Sequence, residues 1–201
     1  MMLAVVGLLV WAGVYNLRAR RKAMEDARNA HITLTAEGSG GKVSLGGDDA
    51  ASALGKDFRG KPAPEFSLPA LDGKQVSSSV LKGHPAVVNF WATYCGPCKL
   101  EMPWFQEFSK KYAAQGLSVI GIDDEEGVTR DDVRKAAEKV GVTYPILIAD
   151  RKTESAWGLG DYLPVTYYID AQGKVVTQTP GAPSKDEVEA NIRRILPAGG
   201  Q

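Results

Sequence analysis

Cys95 and Cys98 are the only cysteines in this chain of 201 residues, and two residues stand between them. A four-ligand zinc site is not available to them, because no second Cys or His pair completes the set. A bridge between them would close only a tiny loop, so it would stabilise little as a staple. Two thiols at this spacing suit redox chemistry instead: one attacks a partner disulfide and the other resolves the mixed disulfide. If a strand delivers Cys95 to the start of a helix, unpaired backbone N–H groups and the positive helix end favour thiolate. The Cys95 pKa then falls from about 8.5 toward roughly 3.5–7.5. Cys95 is the candidate nucleophile, and Cys98, one turn later, is the candidate resolving thiol. Gly96 and Pro97 keep the turn tight, with Pro97 near the helix start where its missing N–H costs nothing.

The flanking sequence supplies both elements. Ala86 to Trp91 is a short, mostly apolar, β-prone run that suits a buried central strand. From Cys98 to Ala114 the residues Leu100, Trp104, Phe105, Phe108 and Tyr112 recur at helical spacing, with a kink expected at Pro103. Glu101 lies three residues beyond Cys98 and so shares its helical face; spacing alone allows either a surface glutamate or a proton-transfer group. Leu117 to Ile122 predicts a second buried strand. Thr129 to Val140 predicts a helix capped by Thr129, with Asp131 and Asp132 in its first turn and Gly141 as its stop. Pro145 to Ile148 predicts a further strand. A hairpin follows, Val165–Ile169 and Lys174–Thr177 around the turn 170–173, and a last helix runs from Ser184 to Leu196. Upstream, Glu65–Leu68 and Gln75–Val76 form a strand pair through Asp72-Gly73. Alternation followed by a hairpin implies an α/β fold, a mixed central sheet flanked by helices.

Residues 61–197 make up this domain, and what precedes it has another character. Residues 1–17 carry no charged side chain and reach the lower limit of roughly 17–25 residues for a membrane helix. A membrane anchor is expected rather than a cleaved signal peptide, because Arg18, Arg20, Arg21 and Lys22 follow where a small-residue cleavage site would stand. The positive-inside rule applied to those residues puts the domain in the cytoplasm; a basic leader ahead of Met1 would restore the opposite orientation. Residues 18–60, rich in Gly, Ser, Ala and Asp, suit a flexible linker, and the lone His31 within it suits a solvated residue better than a ligand. Lysine plus arginine and aspartate plus glutamate each count 24, so bulk charge offers no pull toward nucleic acid, and no nucleic-acid partner is expected.

The stretch Asn89-Phe90-Trp91-Ala92-Thr93-Tyr94-Cys95-Gly96-Pro97-Cys98-Lys99-Leu100-Glu101-Met102-Pro103 resembles the active site of thioredoxin-fold proteins of the TlpA/ResA type. The likeness spans about residues 61–197. It includes the opening Lys61 to Leu68, a helix-containing insertion at 124–148, and Leu163-Pro164-Val165-Thr166. It implies a thioredoxin fold and a thiol-disulfide oxidoreductase that uses its own cysteine pair and no other cofactor. It also implies protein thiol or disulfide substrates, a membrane electron-donor thiol protein, and a membrane-tethered domain on the extracytoplasmic, periplasmic side. Relatives often reduce apocytochrome c cysteines during haem attachment, so a role in cytochrome c maturation is an expectation here.

By the same resemblance Pro164 matches the family's cis-proline, against which an extended substrate docks, and Glu101 matches a glutamate beside the buried cysteine. Trp91, Tyr94, Gly96 and Pro97 are the other candidate substrate-binding residues. Tyr94 departs from the tryptophan common at its position, and Asn89 stands where ordinary thioredoxins carry a buried acid, which throws proton transfer onto Glu101. Two related activities fit less well. A peroxiredoxin-type peroxidase needs a Thr or Ser three residues before its cysteine, a spacing that Thr93 and Cys95 do not supply. A Sco-like copper chaperone needs Cys-x-x-x-Cys and a downstream histidine, and none follows His84.

Overall fold

The computed structural model describes residues 55–160 and 162–197. The expected anchor and all but the end of the expected linker lie outside the described residues. Among the described residues no helix is long and apolar enough to cross a membrane.

The sheet is organised by its most apolar strand. β3 (Ala86–Trp91) is buried at every position, as a strand covered on both faces must be. β4 (Ser118–Asp123) runs parallel to it on one side, with Val87 opposite Val119 and Trp91 opposite Asp123. β6 (Val165–Ile169) runs antiparallel on the other, with Phe90 opposite Val165. β5 (Ile146–Ile148) and β7 (Val175–Pro180) complete the five-stranded order β5-β4-β3-β6-β7. A separate antiparallel pair, β1 (Ser67–Pro69) and β2 (Gln75–Ser77), turns through Asp72-Gly73.

Each face has its own core. On one side α1 (Gly96–Lys111), α2 (Arg130–Lys139) and α4 (Lys185–Ile195) bring Met102, Phe105, Phe108, Val133, Val188 and Ile192 against Val87, Trp91, Val119 and Tyr168. On the other, Trp157 from α3 (Arg151–Trp157) meets Phe58, Phe66, Phe90 and Tyr167 in a group of tilted and edge-on rings, a favoured geometry for aromatic pairs. The caps are those the sequence specifies. The Thr129 side chain accepts from Asp132 N at α2, and Ser184 and Glu187 form a reciprocal capping box at α4.

Three expectations change. α1 begins at Gly96, two residues before the expected start at Cys98, and Pro103 lies inside it. α3 has no counterpart in the sequence reading; Asp150 caps it by accepting from Thr153 N, and Gly158 ends it in the left-handed conformation. Packing also begins ahead of Lys61, because Phe58 is buried and residues 56–63 bond to Gly158, Gly173 and Val175.

Candidate active site

The C-terminal end of β3 sets the site. Asp124 N–H donates to Trp91 O, closing the sheet there, and the chain then crosses Ala92, Thr93 and Tyr94 to enter α1. Cys95 is the N-cap of α1 and Pro97 lies in the first turn, so no helical hydrogen bond is lost. Cys98 N–H donates to Cys95 Sγ at 3.2 Å, so the helix start directs a backbone donor at the first sulfur. No acid stands in the first turn of α1 to offset its positive end. The two cysteines are joined as a disulfide. They are unequal: Cys95 keeps 6% of its surface and Cys98 none, while Tyr94 beside them is 72% exposed.

Glu101 is fully buried on the same face of α1 as Cys98. Its Oε1 accepts from Asn89 Nδ2 at 2.7 Å, and the same amide donates to Thr166 Oγ1 at 3.0 Å. Its other oxygen, Oε2, has no hydrogen-bond partner among the described residues. Burial pushes the Glu101 carboxyl up to about 8, against which the Asn89 hydrogen bond acts only in part. The carboxyl is therefore mostly protonated at pH 7 and can exchange its proton near neutrality.

The space around this carboxyl is arranged by Gly121, the neighbour of Asn89 across the parallel register. A Cβ on Gly121 would lie 2.6 Å from Ile146 Cδ1, 3.2 Å from the Tyr144 ring and 3.3 Å from the Trp91 indole nitrogen. Only a residue without a side chain lets the three approach. Burial, together with the charge of Glu101, pushes the Tyr144 phenol up.

A second acidic group stands at the end of β4. Asp123 is buried, with no hydrogen-bond partner for either carboxyl oxygen among the described residues, and burial beside Glu125 and Asp124 raises it to about 7. Asp124 is raised to about 6 by burial and by Glu154. Glu125 turns back toward the motif, where its Oε2 accepts from Thr93 N–H at 2.8 Å and from Thr93 Oγ1 at 2.6 Å.

Pro164 is buried, follows a cis peptide bond from Leu163, and leads into Val165 opposite Phe90. It therefore reaches the same end of the sheet as Cys95. Gly96 and Pro97 are exposed and open to a partner. Trp91 is not: it is fully buried, so the substrate-binding role expected for it gives way to a packing role under the motif. Sequence reasoning weighed Asn89 only as a missing acid. It missed Thr166, Asp123 and Glu125; Asp123 did carry a signal, as a charged residue on the buried face of an apolar strand.

This frame occurs in known proteins. The family model described as the AhpC/TSA family matches residues 59–178. The thiol-disulfide oxidoreductase ResA of Bacillus anthracis is 36% identical over 139 residues, which cover 69% of this chain and 79% of that protein. The thioredoxin-like protein YneN of Bacillus subtilis is 34% identical, over 66% of this chain and 78% of its own. A crystal structure of a thiol:disulfide interchange protein of the thioredoxin family, from Chlorobium tepidum, superposes with a TM-score of 0.61 at 32% identity. That match covers 71% of this chain and 100% of the other. The two-helix-layer sheet is thus a thioredoxin fold, Cys95 and Cys98 are its redox pair, and the chain belongs to the AhpC/TSA family as a ResA-type thiol-disulfide oxidoreductase.

Proposed function

We propose that this oxidoreductase is an extracytoplasmic reductant of protein disulfides, held to the membrane by residues 1–17 and re-reduced by a membrane thiol protein. Reduction of apocytochrome c cysteines before haem attachment lies within this class. The observation that carries the reading is the site itself: an exposed entry at Gly96-Pro97, a nearly buried Cys95 at a helix start, and a buried carboxyl behind Cys98. In the reductive direction the Cys95 thiolate attacks a partner disulfide, forming a Cys95–partner bond and releasing the partner's other sulfur. Cys98 then gives its proton to the ionised fraction of Glu101, which grows as pH approaches 8, and attacks the Cys95 sulfur. The Cys95–Cys98 bond forms as the Cys95–partner bond breaks, the second partner sulfur leaves as thiolate and takes up the proton that Glu101 received, and two electrons have passed from the pair to the partner. Pro164 and Tyr94 line the approach of the partner segment, and the pair itself carries the electrons.

Equilibration with glutathione or thioredoxin tests the direction. A Gly-Pro spacer places the expected potential near that of thioredoxin, about −270 mV. A value near −120 mV, the oxidising end of the family range, would reverse the assignment from reductant to oxidant. Orientation has its own test: protease added to intact spheroplasts should remove the catalytic domain, and a fully protected domain would place it in the cytoplasm.

A further inference from the structure

We propose that Glu125 is a positioning residue for the nucleophile: its carboxylate clamps the loop that presents Cys95 and, as an anion at the start of α1, restrains ionisation of that thiol. The loop between β3 and the Cys95 cap is three residues long, and Cys95 N–H reaches back to Ala92 O at 3.1 Å. Thr93, at its centre, gives both its donors to one oxygen of Glu125. A side chain from the loop after β4 therefore fixes the path of the chain two residues before the reactive sulfur. Bonds to a charged acceptor are about twice as strong as neutral ones, so the loop is held firmly.

The same carboxylate opposes the helix. α1 carries no acid in its first turn, so Glu125, in the loop after β4, brings the negative charge that the helix's own sequence lacks. Among the described residues, the ionisable groups near this end of the sheet include Asp123 at the end of β4 and Asp124 after it, Glu126 paired with Arg151, Glu154 on α3, Tyr94 before Cys95, and Lys99 and Glu101 on α1. Lys99 is the one cation among them on α1.

The inference rests on Cys95 being the attacking thiol, so the measurements are made in the full chain with Cys98→Ser as background. Glutamine at 125 keeps an oxygen able to accept both Thr93 donors and removes only the charge. With Glu125→Gln the Cys95 thiolate fraction at a fixed pH below its pKa should rise about threefold to tenfold, a downward shift of roughly 0.5–1 unit. With Cys98 restored, the reduction potential should rise, because the reduced form is the one that gains. Glu125→Ala loses charge and clamp together. It should ionise like the glutamine variant yet attack a model disulfide about tenfold more slowly per thiolate. A Glu125→Gln titration that overlays the parent overturns the electrostatic role, and equal rates per thiolate for the two variants overturn the positioning role. If Cys95 fails to react in the Cys98→Ser background itself, the nucleophile assignment falls and this proposal with it. If Cys95 reacts there but ignores residue 125, only Glu125 loses its role.

Discussion

Cys98→Ser should accumulate stable mixed disulfides with partner proteins, whereas Cys95→Ser should trap almost none and lose exchange activity to background. The asymmetry follows from placement. Cys95 retains a small exposed surface and caps α1, where a backbone donor already points at its sulfur; Cys98 has no exposed surface at all. A partner sulfur can therefore reach only the first cysteine, and only that thiol is stabilised as an anion by the helix start. Once Cys95 is bonded to a partner, Cys98 is the one thiol placed one turn away to release it, so serine there halts the reaction at its midpoint. Non-reducing gels with mass spectrometry of the trapped species report the result. Comparable trapping by both variants would show that the buried sulfur is reachable and would overturn the order of attack.

Glu101→Gln should slow the resolution of that mixed disulfide by roughly 10²-fold, the lower end of general-base contributions, with the fold intact. The amide keeps an acceptor for Asn89 Nδ2 and removes only the proton exchange. In the parent, a carboxyl with a pKa of about 8 changes charge over the range in which Cys98 must lose its proton. The pH dependence of the second step should therefore flatten in the variant. Because the carboxyl and thiol interact, the apparent pKa values in the parent belong to the pair. The same substitution has a stability signature. Burial raises the folded pKa above the unfolded value of 4.5, so the folded state holds the proton more tightly. Stability from this group is complete below about 4.5 and is lost as pH rises toward 8, the folded chain then carrying a buried anion. Glu101→Gln should be more stable than the parent near pH 9, on the order of a few kcal/mol, with the advantage vanishing near pH 4.5. Denaturant melts at the two pH values measure it. Equal rates across pH 6 to 9, a range that brackets thiol titration, together with pH-independent stability differences, would reduce Glu101 to a packing residue.

How far the sequence disclosed this site depends on how local each determinant is. The Cys95–Cys98 spacing, the buried strand before it and the caps at Thr129 and Ser184 are written in a few consecutive residues, and the structure places them as read. Glu101 is ambiguous in the sequence because helical spacing gives a face but not what lies against it; the contact with Asn89, 12 positions away, places the carboxyl in the interior rather than on the surface. Thr166 is 77 positions from Asn89 and Glu125 is 32 from Thr93, and nothing in local pattern announces such pairs. Trp91 misled for a related reason. An aromatic at a strand end suits either a wall of the binding surface or the core, and strand periodicity cannot separate two faces that are both buried. α3 escaped because seven residues give barely two turns of periodicity, although Asp150 and Gly158 mark its ends.

The borders of the sheet bear on how partners are recruited. β5 is lined by the β1–β2 hairpin, through the bridge of Ala70 to Leu147 and the bond from Leu71 N–H to Ile146 O. β7 is lined at its start by residues 60–62, which bond to Val175 and bridge to Lys174, and it ends at Pro180, which has no N–H to offer. Where β5 and the start of β7 are covered in this way another chain cannot add a strand, so edge pairing and peptide capture by β-augmentation are disfavoured there. Clients are met at the tip of the sheet, where the exposed phenol of Tyr94 stands next to the redox pair. Contact there needs only a short extended stretch of client around its disulfide.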